Sequence, residues 1–155
     1  RSGAPTYIDR FFARYPGGAR HWEEARNSAR QYGYVETAFG RRLWFPEIRA
    51  SNGNRRQGAE RAAINAPMQG TAADLIKLAM LKFHQALLDE GLLSKLLLQV
   101  HDELVFEAPR SEIPALAALA QRVMVGVSAD ANLTVPLEIE VNYGKNWGDM
   151  EPVEG

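Results

Sequence analysis

The chain has 155 residues, 46% of them hydrophobic, 24% charged and 9% aromatic, with 8 Pro, 13 Gly and no cysteine, the composition of an ordinary soluble domain long enough to bury a core. Without Cys it can form no disulfide, thiolate zinc site, iron–sulfur cluster or cysteine nucleophile, and no apolar run approaches the ~18 residues of a membrane span. The formal net charge of -1 hides an asymmetry: residues 1–65 carry 12 Arg and no Lys against six acids, net +6, whereas residues 66–155 carry six basic residues against 13 acids, net -7. Such halves suit one surface for a polyanion and a separate acidic region that could hold cations or face solvent, although an Arg-rich helix can also be merely solvated.

The opening residues, Arg1-Ser2-Gly3-Ala4-Pro5, carry neither an initiator Met nor an apolar signal core, so the chain reads as a piece of something longer. Ile8, Phe11, Phe12 and Tyr15 recur at helical spacing and predict a helix from Ala4 to about Tyr15, stopped by Pro16-Gly17-Gly18. A second helix is predicted from about Ala19 to Tyr32. The run from Tyr34 to Pro46 is β-branched and aromatic on both sides of Gly40, the pattern of a hairpin, and Ser51-Asn52-Gly53-Asn54 reads as a turn.

Helical periodicity resumes at about Arg55. Pro67 lacks an N–H and clashes one turn back, which predicts an end or a kink, and Thr71 with Asp74 resembles a capping box that restarts the helix. Ala72, Leu75, Ile76, Ala79, Met80, Phe83 and Leu87 then form an apolar stripe suited to a core, closed by Gly91. Two short apolar strands follow, Leu96 to Val100 and Leu104 to Ala108, separated by His101-Asp102-Glu103. Strands apolar on both faces are covered on both sides, which would place Asp102 at the tip of a rigid, largely buried hairpin. A helix from Glu112 to about Val127 and an alternating strand from Val135 to Val141 complete an α+β fold of hairpins and long helices on one antiparallel sheet.

Two constellations carry chemistry. A carboxylate held at a sheet edge, Asp102, is what a Mg²⁺ site needs, because Mg²⁺ takes one or two carboxylates together with substrate phosphates. Two-metal sites set the ions about 3.5–4 Å apart and require a second carboxylate. Asp74 reads as a cap and Glu138 and Glu140 as solvated strand residues, so the second carboxylate is not evident in this chain. Read alone, His101-Asp102-Glu103 is equally compatible with a polar turn.

The other constellation is Arg61, Asn65 and Gln69. Positions i and i+4 share a helix face and i+8 is rotated by only about 80°, so all three can address one surface. Side-chain amides there could donate to the acceptors that the minor groove offers, reading duplex geometry and not sequence. Arg61, with Arg41, Arg42, Arg55 and Arg56 near in the chain, would suit phosphates. The polar side of an ordinary amphipathic helix has the same pattern.

Read together, the segment Glu60-Arg61-Ala62-Ala63-Ile64-Asn65-Ala66-Pro67-Met68-Gln69-Gly70-Thr71-Ala72-Ala73-Asp74 and the later Gln99-Val100-His101-Asp102-Glu103 resemble the C-terminal part of the bacterial A-family DNA polymerases. The likeness covers nearly the whole chain and extends to the hairpin Phe39-Gly40-Arg41-Arg42, the turn Ser51-Asn52-Gly53 and the ending Gly144-Lys145-Asn146-Trp147. It implies a palm-type antiparallel sheet with long packed helices, comprising part of the palm and part of the fingers. It further implies nucleotidyl transfer of dNTPs to a primer 3′-hydroxyl on primer–template DNA, in replication and repair. By resemblance, Asp102 would bind catalytic Mg²⁺ with Glu103 as an adjacent acid of lesser weight, and His101 would lie at the primer terminus. Arg61 would contact the template strand, and Asn65 and Gln69 would meet primer–template bases from the minor-groove side.

The family also needs a first palm strand with its own metal-binding Asp, a nucleotide-gripping fingers helix and a thumb. None of these motifs precedes Asp102, so the remainder of a polymerase polypeptide is an expected partner and the 155-residue piece is expected to be inactive by itself. The implied setting is the bacterial cytoplasm, at the nucleoid and not at a membrane. Two other functions compete: a nucleic-acid-binding module without chemistry, favoured by the Arg-rich first half and the missing carboxylate, and a metal-dependent phosphodiesterase, disfavoured by the lack of a second acidic cluster.

Overall fold

In the computed structural model, which describes residues 6–12, 18–100, 103–130, 138–146 and 148–153, the first departure from the sequence reading comes at once: Thr6–Phe12 is a strand, β1, and not a helix. Short runs rich in aromatic and β-branched residues fit either period. Here ladders on both edges decide, because β1 pairs antiparallel with two neighbours, Thr6 to Arg10 against one and Thr6 to Phe12 against the other. Elsewhere the mixed helix and antiparallel-sheet class holds. In chain order follow α1 (Gly18–Tyr32), β2 (Tyr34–Glu36), β3 (Arg42–Trp44), α2 (Gly53–Asp89), β4 (Lys95–Val100), β5 (Glu103–Glu107), α3 (Ile113–Asp130), β6 (Glu138–Gly144) and β7 (Glu151–Pro152), with 3₁₀ turns at Pro46–Arg49 and Arg110–Glu112. No helix among the described residues is long and apolar enough to cross a membrane.

The chain divides into two compact units, the boundary falling within α2 between Asp74 and Leu75. In the hairpin unit, residues 18–74, Ala25 and Ala29 of α1, Val35 of β2, Ile48, and Ala59 and Ala63 of α2 form a core, with Leu43 and Phe45 against it. Gly33 ends α1 at φ +81°, its N–H donating to the Ala29 carbonyl at 2.9 Å, and turns the chain directly into β2. The predicted turn at Ser51-Asn52 caps α2: Asn52 Oδ1 accepts the N–H groups of Asn54 at 3.0 Å and Arg55 at 3.3 Å.

Of the end or kink predicted at Pro67, the end does not occur. A proline inside a helix loses one hydrogen bond and costs about 3 kcal/mol, yet α2 runs through Pro67 for 37 residues. Packing around Pro67 offsets that cost: Ala63, Pro67, Gly70 and Thr71 are all buried. The residues read as a second helix start have other duties. Thr71 Oγ1 accepts the N–H of Ala38 at 2.9 Å, and Asp74 binds side chains of the β2–β3 connection. Gly70 permits the close approach, since a methyl group there would lie 2.7 Å from Thr37 Cγ2 and 2.8 Å from Leu43 Cδ1.

The sheet unit holds a five-stranded antiparallel sheet in the order β4-β5-β1-β6-β7. The stripe on α2 is core as predicted, with Leu75, Ile76, Ala79, Phe83 and Leu87 buried. Gly91 ends the helix at φ +64° in a Schellman arrangement, Leu92 N–H donating to Leu87 O and Gly91 N–H to Leu88 O. On α3 the predicted face of Ile113, Leu116, Leu119, Ala120 and Val123 is buried. The predicted cover on both strands of the β4–β5 hairpin holds only for β5, whose Leu104, Val105 and Phe106 are buried. As the edge strand, with a register shift between Leu96 and Leu98, β4 leaves Leu97 and Leu98 exposed. The last predicted strand is observed at Glu138–Gly144, running past its predicted end at Val141, while its predicted start at Val135 falls in residues 131–137, outside the described residues.

Glu112 ties the start of α3 to the entry of β4. Its carboxylate accepts Leu93 N–H at 2.6 Å, Ser94 N–H at 3.0 Å and the Ser94 hydroxyl at 2.7 Å. Slight burial raises its pKa, but these three hydrogen bonds outweigh that and hold it below the ordinary glutamate value. A depressed folded-state pKa contributes stability above the ordinary value, lost as pH falls through the lowered one. The stability advantage of the native protein over Glu112→Gln should therefore shrink as urea midpoints are taken from neutral pH into the acid range below the ordinary glutamate pKa. A pH-independent difference would contradict this.

Candidate nucleic-acid interface

The hairpin unit presents the polar stripe that the sequence predicted. Arg61, Asn65 and Gln69 are all exposed on α2, while Ala59, Ala63 and Pro67 on its other side are buried. Helical spacing thus places one guanidinium and two amides on a common face. No acid occupies the first turn of α2, where Arg55 and Arg56 stand exposed. Cations are unfavourable at the positive end of a helix dipole, and a bound polyanion relieves that cost.

The two hairpin arginines are partly committed within the protein. Arg41 Nε meets Asp74 Oδ1 at 2.8 Å, and Thr37 Oγ1 donates to Asp74 Oδ2 at 2.8 Å. Thr37 Oγ1 in turn accepts the N–H groups of Phe39 and Arg41 at 3.3 Å each. Asp74 is thus a clamp that fixes the β2–β3 connection to α2, not the helix cap expected from sequence. Because its partners lie 33 and 37 residues away, local sequence carries no signal for the clamp. Arg42 lies with its guanidinium carbon 4.5 Å from the centre of the Tyr34 ring and with Nε 3.3 Å from Glu36.

Sequence reasoning also missed the aromatic residues here. Tyr34 and Trp44 are paired across β2 and β3, with ring centroids 4.9 Å apart at 61°, and Tyr32 stacks on Tyr34 at 5.8 Å. Trp44 is 63% exposed. It lines an open depression of about 390 Å³ together with Leu43, Phe45, Ala66, Gln69 and Gly70, so a predicted contact residue and an exposed indole share one surface.

Asp102, the predicted metal ligand, and His101, predicted at the primer terminus, lie outside the described residues. Glu103 begins β5, half-buried, with Val100 as its partner on β4 and Arg10 as its partner on β1. The described neighbours of Asp102 thus belong to paired strands. Among the described residues no group of three or more His, Asp or Glu side chains converges as a metal site. Glu140 is exposed, as predicted, while the side chain of Glu138 lies outside the described residues. Arg41, Arg42, Arg61, Asn65 and Gln69 belong to the hairpin unit and Glu103 to the sheet unit.

Residues 1–149 match the family model described as DNA polymerase family A. The chain is 50% identical over 153 residues to DNA polymerase I of Chloroflexus aurantiacus, which covers 99% of this chain and 16% of that relative. It is 48% identical over 145 residues to the thermostable DNA polymerase I of Thermus aquaticus, covering 93% of this chain and 17% of that relative. Among solved structures it is similar to the POL domain of Pol1 from M. smegmatis, in complex with DNA primer-template and dNTP. That match has a TM-score of 0.72 at 44% identity, covering 81% of this chain and 22% of the other. The chain thus spans about one sixth of the length of the curated relatives it matches.

Proposed function

Since the chain belongs to DNA polymerase family A, we propose that it is the part of a DNA-directed DNA polymerase that grips the primer–template and supplies one metal-binding carboxylate. The observation that carries this reading is the exposed stripe of Arg61, Asn65 and Gln69 on α2. Its amides can donate to minor-groove acceptors present in every base pair, the contact needed by a protein that must hold any sequence. Arg61 adds a bidentate donor for a template phosphate, and the exposed Arg55 and Arg56 extend the positive surface along the same helix. The partners are primer–template DNA and a dNTP, by analogy with the M. smegmatis complex, in the bacterial cytoplasm at the nucleoid.

The residues suit Mg²⁺ in kind: Asp102 offers a hard oxygen ligand, and Glu103, paired with Val100 across β4 and β5, is an acid directly beside it in the chain. When bound, the ions would lower the pKa of the primer 3′-hydroxyl and stabilise the departing pyrophosphate. Asp102 would hold them, Glu103 would add negative charge nearby, and His101 would position the primer end. A second carboxylate, the thumb and the nucleotide-gripping helix would come from the remainder of the polypeptide. The exposed Leu81, Leu88, Leu93 and Leu97 of the sheet unit are apolar surface that a further segment could cover.

Replacing Asn65 and Gln69 separately by Ala in the whole protein tests the grip. Each change should weaken binding to a recessed 3′ end or lower fidelity at the primer terminus, by about tenfold for a lost buried hydrogen-bond donor, without altering the Mg²⁺ requirement. Unchanged kinetics and fidelity in both variants would remove the minor-groove role. The second reading, a binding module without chemistry, is favoured by the Arg-rich first half, 12 Arg against six acids over residues 1–65. A preference for recessed 3′ ends over blunt duplex separates the two, whereas salt dependence is common to both.

A further inference from the structure

The aromatic cluster on the β2–β3 hairpin has no part in the contacts assigned so far, and its construction is unusual for a solvent-facing surface. Trp44 and Tyr32 are 63% and 54% exposed, although large aromatic rings gain most from burial. Tyr34 lies between them, touched by Tyr32, by Trp44 edge-on and by the Arg42 guanidinium. The indole therefore rests against the Tyr34 ring, itself packed by Tyr32 and Arg42, while most of its surface stays open. Preorganisation of this kind lowers the entropic cost of stacking a flat ligand. The cluster is continuous with the proposed DNA grip, because Trp44 and Gln69 line one depression, and Arg42 beside it is ion-paired with Glu36 at 3.3 Å.

We propose that Trp44 is a stacking platform for an unpaired base of the template strand, with Tyr34 and Arg42 as the residues that position it. The proposal rests on the polymerase reading for the source of that base, a single-stranded 5′ template overhang. Its chemistry is general: every base offers a π-face, so stacking on an indole beside basic side chains binds single strands without reading sequence. The indole takes the base through its open π-face.

The test compares the wild-type whole protein with Trp44→Leu and Trp44→Phe, using fluorescence anisotropy on a primer–template with a 5′ overhang and on blunt duplex. Leu keeps apolar bulk but has no π-face, whereas Phe keeps a smaller one. The expected result is a loss of about tenfold in overhang affinity for Trp44→Leu, the effect of removing one base–aromatic stack. Blunt-duplex affinity should be unchanged and Trp44→Phe should restore most of the loss. A 2-aminopurine in the overhang should be quenched by the wild type and less so by Trp44→Leu. Equal overhang affinity in the wild type and Trp44→Leu would overturn the proposal, as would an equal loss on blunt duplex. Failure of the wild type to extend primers would refute the polymerase reading while a selective overhang effect would still support the stack.

Discussion

Replacing Asp102 by Ala in the whole protein should reduce primer extension by about three orders of magnitude or more, while leaving affinity for primer–template DNA nearly intact. Loss of a metal-binding carboxylate removes several kcal/mol of stabilisation from charge that develops only in the transition state, and each 1.36 kcal/mol is about tenfold in rate. In the proposed reading, binding rests on other residues, Arg61, Asn65 and Gln69, in the part of α2 that belongs to the other compact unit. A binding assay alongside the rate measurement therefore separates the two roles. Single-turnover extension at the wild-type rate would remove Asp102 from the chemistry, and an equal loss of DNA affinity would make its role one of binding.

Replacing Phe106 by Ala should produce the largest loss of stability. Its ring is fully buried in β5 and meets Phe83 of α2 edge-to-face, with centroids 5.0 Å apart at 65°. Burial of a large aromatic together with the cavity left by its removal is worth about 3–5 kcal/mol, and the aromatic pair adds a fraction of that. The effect should reach the site, because β5 pairs with both β4 and β1 and begins at Glu103, directly after Asp102. Phe106→Leu, which preserves most of the apolar volume, should cost less than about 1.5 kcal/mol. Urea unfolding checks both, and an Ala variant as stable as the wild type would show that this contact does not anchor the hairpin.

The elements that the sequence made legible are those whose signals are local. The helix after Gly18, the hairpin around Gly40, the apolar stripe of α2 and the buried face of α3 each follow from spacing and turn residues within one element. What was misread depends on partners far along the chain. Pro67 looks like a break until the packing of Ala63, Gly70 and Thr71 is present, and Asp74 looks like a cap until Thr37 and Arg41 are brought to it. Similarly, β1 takes its conformation from the ladders with β5 and β6, and the exposure of Leu97 and Leu98 follows from the place of β4 at the sheet edge.

The candidate site divides in the same way. The stripe of Arg61, Asn65 and Gln69 was readable because helix geometry alone fixes a common face. By contrast, Trp44 reads in the sequence as one more strand residue, and only its pairing with Tyr34 across the hairpin shows an exposed, positioned ring. The chemistry assigned to Asp102 comes from family resemblance, since a carboxylate between two short strands also fits an ordinary turn.

The most direct test of polymerase function is incorporation of a labelled dNTP by the whole protein on a recessed primer–template in the presence of Mg²⁺, read one nucleotide at a time. The account predicts that the primer grows by the nucleotide complementary to the template, that growth stops when Mg²⁺ is chelated, and that blunt duplex is not extended. Tight binding to the same DNA with no incorporation of any nucleotide would contradict it and would leave a protein that holds nucleic acid without acting on it.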